Sequence, residues 1–158
     1  ATVHLPLSAP HSEAASSEDW HWQIRNAVTS VDALARAIAL TPRELEGARR
    51  AEAQGLPIAI TPYYLSLVDK HDPRCPVRLQ CVPDARESDE VDGDLVDPLG
   101  EVEHEVAPHL VQRYPDRALL LATDQCAVYC RFCTRSRIVG SGGESWRLID
   151  DGSVQNEL

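Results

Sequence analysis

Apolar positions recur at helical spacing through the first third of the chain. Trp20, Ile24, Ala27 and Val28 share one face of a helix that the pattern starts at about Glu18, with Ser16 and Asp19 in capping-box spacing. A second stripe, Val31, Leu34, Ala35 and Ile38, predicts a helix over about 31–39. A third helix has clear end signals: Thr41 as cap, Pro42 at the first helical position, Glu44 three residues after the cap and Gly55 beyond the end. The apolar stretch 58–68 is broken by Pro62, which predicts a short strand entering a helix or turn, because the residue before a proline avoids the helical region. Prolines at 73, 76, 83, 98 and 108 then interrupt every period, so 69–108 is expected to wrap irregularly over a surface. From Arg117 to Thr123 the run Ala118-Leu-Leu-Leu-Ala122 is apolar without alternation, as for a strand buried on both faces of a parallel sheet. Residues 1–17, rich in Ser, Ala, Pro and His without periodicity, are expected to form a mobile leader.

Composition narrows the function classes. The 158 residues are 43% hydrophobic, enough to bury a core. The formal charge of −10 argues against nucleic acid, which needs a basic face. Asp84 and the acids between Glu87 and Glu105 concentrate this charge in what reads as a solvated segment. No apolar run approaches the roughly eighteen residues of a membrane span, and no secretory pattern opens the chain. A cytoplasmic setting is expected, where thiols stay reduced. Lys70 is the only lysine. With no methionine and a tail soon after the last cysteine, the chain reads as a piece of a longer protein.

Candidate chemistry centres on Cys126, Cys130 and Cys133, a C-x3-C-x2-C loop directly after the apolar run. A loop of this size can turn three thiolates toward one point, and soft thiolates select zinc, copper(I) or an iron-sulfur cluster. Three ligands on a cubane cluster leave one iron without a protein ligand, which suits a cluster that binds substrate or cofactor. Structural zinc is the competing reading, and it needs a fourth ligand. Cys75 and Cys81 could in principle supply one, but their C-x5-C spacing is not a usual knuckle, and they read better as small hydrophobes.

The segments Asp19-Trp-His-Trp-Gln-Ile-Arg-Asn26, Ile60-Thr-Pro-Tyr-Tyr-Leu-Ser-Leu67, Asp97-Pro-Leu99, Arg113-Tyr-Pro-Asp-Arg-Ala-Leu-Leu-Leu121 and the cysteine loop with Thr134-Arg135 occur in this order. Together they resemble the N-terminal portion of lysine 2,3-aminomutases, in the radical S-adenosylmethionine superfamily. The loop alone specifies the superfamily; the other segments point to aminomutases. The resemblance implies an α/β fold in which a helical N-terminal region (18–68) and the wrapping segment (69–108) lead into the first strand of a partial (β/α) radical barrel, truncated, over 109–158. It also implies an isomerase with three cofactors: a four-iron, four-sulfur cluster, S-adenosylmethionine and pyridoxal phosphate. Lysine would be held on pyridoxal phosphate, a hydrogen taken from carbon 3, and the amino group moved from carbon 2 to carbon 3, giving β-lysine.

Site residues carry over position by position. Cys126, Cys130 and Cys133 would hold the cluster, Arg113, Tyr114 and Arg117 would surround the pyridoxal phosphate, and Arg135 would bind the substrate carboxylate. Planar guanidinium groups suit both phosphate and carboxylate. The competing readings are a solvated turn around Pro115 and a surface ion pair at Arg135. Arg137 receives no role. Ser136 and Phe132 stand where family members often carry other side chains, so this segment does not fix the substrate. The family's glycine-rich segment for S-adenosylmethionine, the acids for the lysine ammonium and the Schiff-base lysine find no match here, and Lys70 is not at that position. The isolated chain is therefore expected to be inactive. Related aminomutases acting on arginine or glutamate, the β-lysine-forming enzyme of translation-factor modification, and an inactive cluster-binding fragment remain alternatives. The implied partners are an amino acid substrate and a reductant such as flavodoxin or ferredoxin, with no nucleic acid or membrane and with a homo-oligomer left open.

Overall fold

The computed structural model describes residues 19–89 and 91–140. The expected leader over 1–17, the Ser16 cap and the tail after Gly140 lie outside the described residues.

Three helices open the described chain. In α1 (Trp20–Arg25) the Asp19 carboxylate accepts the His21 N–H at 2.9 Å and so satisfies a donor at the helix start. In α2 (Val31–Ala37) the Ser30 hydroxyl does the same for Ala33, and the helix ends before the expected residue 39 because Ile38 is already extended, at φ −138° and ψ 153°. α3 (Pro42–Ala53) has the predicted reciprocal cap: Glu44 N–H donates to Thr41 Oγ1 at 3.2 Å, and Thr41 N–H donates to Glu44 Oε2 at 2.7 Å. Gly55, at φ +72°, turns the chain out of this helix.

The core gathers Val31, Leu34, Ile38, Ala48, Ile58, Ile60, Val68, Cys81 and Val82. Ile60, fully buried, forms antiparallel bridges to Val28 on one side and Val128 on the other. The expected strand is thus a single-residue bridge that runs into α4 (Pro62–Ser66).

The segment 69–108 is not only a wrapping layer. It contains α5 (Pro76–Cys81), 3-10 turns at Ala85–Ser88 and Val102–His104, and strand β1 (Glu105–Ala107). Arg78, Cys81 and Pro83 are among the most fully buried side chains of the described chain. Prolines hide this order in the sequence, yet Pro76 occupies the first turn of α5, where its missing N–H costs nothing. The acidic segment also departs from expectation: Glu101 is 5% exposed and Asp84, Glu87 and Asp97 are half-buried, although Asp92 and Asp94 are exposed as expected.

Strands β1, β2 (Leu110–Tyr114) and β3 (Arg117–Leu120) form a small antiparallel sheet in the order β1-β2-β3. The described architecture is therefore mixed, short helices with a small antiparallel sheet. The expected parallel strand, buried on both faces, is instead the outer strand of a hairpin, and all four of its residues are exposed. Its apolar run asks for cover that no described element supplies. Among the described residues no helix is long and apolar enough to cross a membrane.

Candidate functional site

The cysteine loop is tied to the core by its backbone. Thr61 N–H donates to the Ala127 carbonyl at 3.1 Å and Tyr129 N–H to the Ala59 carbonyl at 2.9 Å, one on each side of Ile60. Farther along, Arg131 N–H donates to the Gln80 carbonyl at 2.8 Å. The Arg131 side chain, only 9% exposed, reaches Glu87 Oε2 through Nε at 2.8 Å and the Pro57 carbonyl through Nη1 at 3.1 Å. A buried guanidinium needs such partners. They hold Arg131, within the Cys130–Cys133 span, against α5, the Ala85–Ser88 turn and Pro57.

Cys126 is exposed, whereas Cys130 and Cys133 are partly buried; all three are free thiols, as are Cys75 and Cys81. A tight turn links the last two, with Cys133 N–H donating to the Cys130 carbonyl at 3.1 Å. Partial desolvation, the neighbouring thiols of Cys133 and Cys130, and the Asp124 carboxylate push the Cys126 thiol above its ordinary value. Cys126 thus feels both of the other thiols of the loop. The three are not drawn to one point, since no group of three metal-ligating side chains assembles among the described residues. As a donor set, three soft thiols on one anchored loop fit a thiolate-bound metal or cluster. Cys81 has a different character: it is 1% exposed, donates to the Val77 carbonyl, and is pushed up to about 11 by burial and by the Cys130 and Cys75 thiols. That matches the expected small hydrophobe. At Cys75 the Asp69 N–H donates to Sγ at 3.4 Å and pulls the thiol below its ordinary value.

A second locus lies on the β2–β3 hairpin. Arg113, Tyr114, Arg117 and Arg135 line one groove of ≈ 370 Å³ with Leu99 and Glu101. Arg113 Nη1 donates to the Leu99 carbonyl at 3.0 Å. Arg117 lies 5.3 Å over the Tyr114 ring and pairs with Asp116 at 2.8 Å, with both members of that pair largely exposed. Exposed guanidinium groups and a phenol on one face suit an oxyanion such as phosphate. Lys70 is exposed and does not line this groove, where it could meet a carbonyl cofactor.

Arg135 is held in an ion pair, the competing reading of its sequence, but with a buried partner, Glu101, rather than a surface one. Its Nε and Nη2 both donate to Glu101 Oε1, at 2.9 and 2.7 Å, while Arg137 Nη2 donates to Glu101 Oε2 at 3.0 Å. Asp97 sits behind this pair. Val102 N–H donates to Asp97 Oδ2 at 2.8 Å and holds the carboxyl below its ordinary value, against the effect of burial. Asp97 Oδ1 and Arg137 Nε are 3.6 Å apart, both buried and without a hydrogen bond to any described residue. In the sequence Glu101 reads as one more solvated acid, and Arg137 carries no role. Asp97 opens a tight turn, with Gly100 N–H donating to the Asp97 carbonyl at 3.1 Å.

No family model matches the chain. Among the curated relatives that it matches are L-lysine 2,3-aminomutases and a glutamate 2,3-aminomutase. It is 49% identical over 127 residues to the L-lysine 2,3-aminomutase of Clostridium subterminale, covering 80% of this chain and 30% of that one. To the L-lysine 2,3-aminomutase of Bacillus subtilis it is 49% identical over 125 residues, covering 79% of this chain and 26% of that one. To the glutamate 2,3-aminomutase of Clostridioides difficile it is 41% identical over 128 residues, covering 79% and 30% respectively. The chain spans about 30% of the length of these relatives, in keeping with the N-terminal portion of such an enzyme.

Proposed function

We propose that the chain is part of a radical S-adenosylmethionine aminomutase, an isomerase that converts L-lysine to L-β-lysine. What supports this reading is the single groove shared by Arg113, Tyr114, Arg117 and Arg135, in a chain 49% identical to L-lysine 2,3-aminomutases. In this proposal Cys126, Cys130 and Cys133 hold a four-iron, four-sulfur cluster, and the remainder of the enzyme completes a barrel around it. The cluster with S-adenosylmethionine supplies hydrogen abstraction, and pyridoxal phosphate supplies electron delocalisation at the migrating amino group. Arg113, Tyr114 and Arg117 bind the phosphate, which fixes the cofactor at the hairpin. Arg135 binds the substrate carboxylate and sets its orientation. A flavodoxin or ferredoxin type of reductant and a cytoplasmic setting complete the proposal; the free thiols suit a reducing compartment.

Glutamate is the second reading, supported by the 41% identity to a glutamate 2,3-aminomutase. Every site residue described here addresses the carboxylate or the cofactor, which any α-amino acid substrate would share. The test is β-lysine formation by the full-length enzyme from L-lysine, with S-adenosylmethionine, pyridoxal phosphate and a strong reductant. Rearrangement of glutamate with lysine left untouched would select the second reading. Anaerobic reconstitution should give about four irons per chain, the content of a cubane cluster. Cys130→Ala should lose this iron, whereas Cys75→Ala and Cys81→Ala should keep it. Tightly bound zinc without sulfide would replace the cluster with a structural metal.

A further inference from the structure

We propose that Glu101 is a positioning residue that fixes which edge of Arg135 meets the substrate carboxylate; this rests on the reading of Arg135 as the carboxylate ligand. A guanidinium presents five N–H donors along two edges suited to a carboxylate. In the structure the side edge is taken, because Nε and Nη2 both donate to Glu101 Oε1. The second Nη2 hydrogen and the Nη1 hydrogen beside it remain, and these two form the end-on fork. A substrate carboxylate in the groove lined by Arg135 would be met through that end.

Glu101 is suited to hold rather than to compete. It is 5% exposed, while the Arg135 side chain keeps 37% of its surface accessible. Its other oxygen is anchored by Arg137 at 3.0 Å, and Arg137 faces Asp97 at 3.6 Å. The carboxylate therefore cannot swing into the groove without abandoning Arg137. Each oxygen has its own arginine, and this makes Gln an informative replacement. Glu101→Gln keeps the shape but offers one acceptor oxygen and turns an N–H2 group toward the other arginine, so it can serve Arg135 or Arg137 but not both.

The experiment measures lysine binding calorimetrically to the full-length, cofactor-loaded and unreduced enzyme, with steady-state kinetics alongside. Glu101→Gln should raise the lysine Kd and KM roughly tenfold, the order of one charge-assisted hydrogen bond, with a smaller change in kcat. Arg137→Gln should act in the same direction and carries the test if the Glu101 variant does not fold. Since Glu101 works through Arg135, adding Glu101→Gln to Arg135→Lys should cause little further loss. A lower Kd in Glu101→Gln would overturn the proposal by showing that Glu101 competes with the substrate. An unchanged Kd, or losses that multiply in the double variant, would also overturn it. If Arg135→Lys alone leaves Kd unaltered, the reading of Arg135 fails, and the role of Glu101 fails with it.

Discussion

Arg78 shows what a single side chain does for this fold. It is 0% exposed and donates to Glu44 Oε1 at 2.7 Å, Glu44 Oε2 at 2.8 Å, the Ala39 carbonyl at 2.7 Å and the Asp69 carbonyl at 3.0 Å. Burial would raise the Glu44 carboxyl, but the Arg78 hydrogen bonds, the Thr41 backbone and the Arg78 charge hold it below its ordinary value. A depressed carboxyl contributes stability above its unfolded value and loses it as pH falls through the folded one. Unfolding monitored from pH 7 downward should therefore show stability declining below about pH 4.3, the ordinary glutamate value, with a flatter decline in Glu44→Gln. Arg78→Met should cost about 3 to 5 kcal/mol at neutral pH, because it strands a buried carboxylate, and urea denaturation would measure it. A loss under 1 kcal/mol would mean that the site relaxes to admit water. None of this was legible beforehand, since the partner lies 34 positions away and a buried arginine looks like any other. The cysteines were legible because ligand spacing is local.

At the scale of elements, end signals were read well and apolar periodicity less so. α1 ends at Arg25, so of the expected stripe Ala27 and Val28 lie beyond the helix, Val28 bridges Ile60, and Trp20 is exposed. The cap, first-turn proline and capping box of α3 are written within four residues, and the structure has all of them. Ile60 carries no comparable mark, although it joins Val28 to the cysteine loop. Gly47 belongs to the same class. It lies within α3 where the chain from Asp84 into the 3-10 turn Ala85–Ser88 crosses, and a Cβ there would come within 2.6 Å of the Ala85 backbone nitrogen. Alanine is the better helix former by about 1 kcal/mol. Gly47→Ala should nevertheless destabilise by about 1 to 3 kcal/mol, because backbone cannot move aside as a flexible side chain can. Circular dichroism during urea denaturation would read the change. Stabilisation by Ala would show that the crossing chain gives way.

For the whole molecule, the β3 hairpin defines what the chain needs. Ala118, Leu119 and Leu120 were expected in a covered sheet because their run has no polar alternation, and that logic concerns the cover as much as the strand. The chain spans about 30% of the length of its relatives, and within its described residues β3 is an outer strand with Leu119 and Leu120 41% and 43% exposed. An apolar outer strand with unpaired backbone groups is a template for self-association. Residues 1–158 alone should therefore aggregate, and Leu120→Lys should relieve this, as sedimentation at rising concentration would show. In the full-length enzyme the same substitution should have the opposite effect. On the proposed reading the rest of the barrel covers β3, so the lysine would be buried without a partner at a cost of several kcal/mol, visible as a lower thermal midpoint. Equal thermal midpoints for wild type and Leu120→Lys would show that β3 stays on the surface. The barrel would then have to begin elsewhere than at the strand before the cysteine loop.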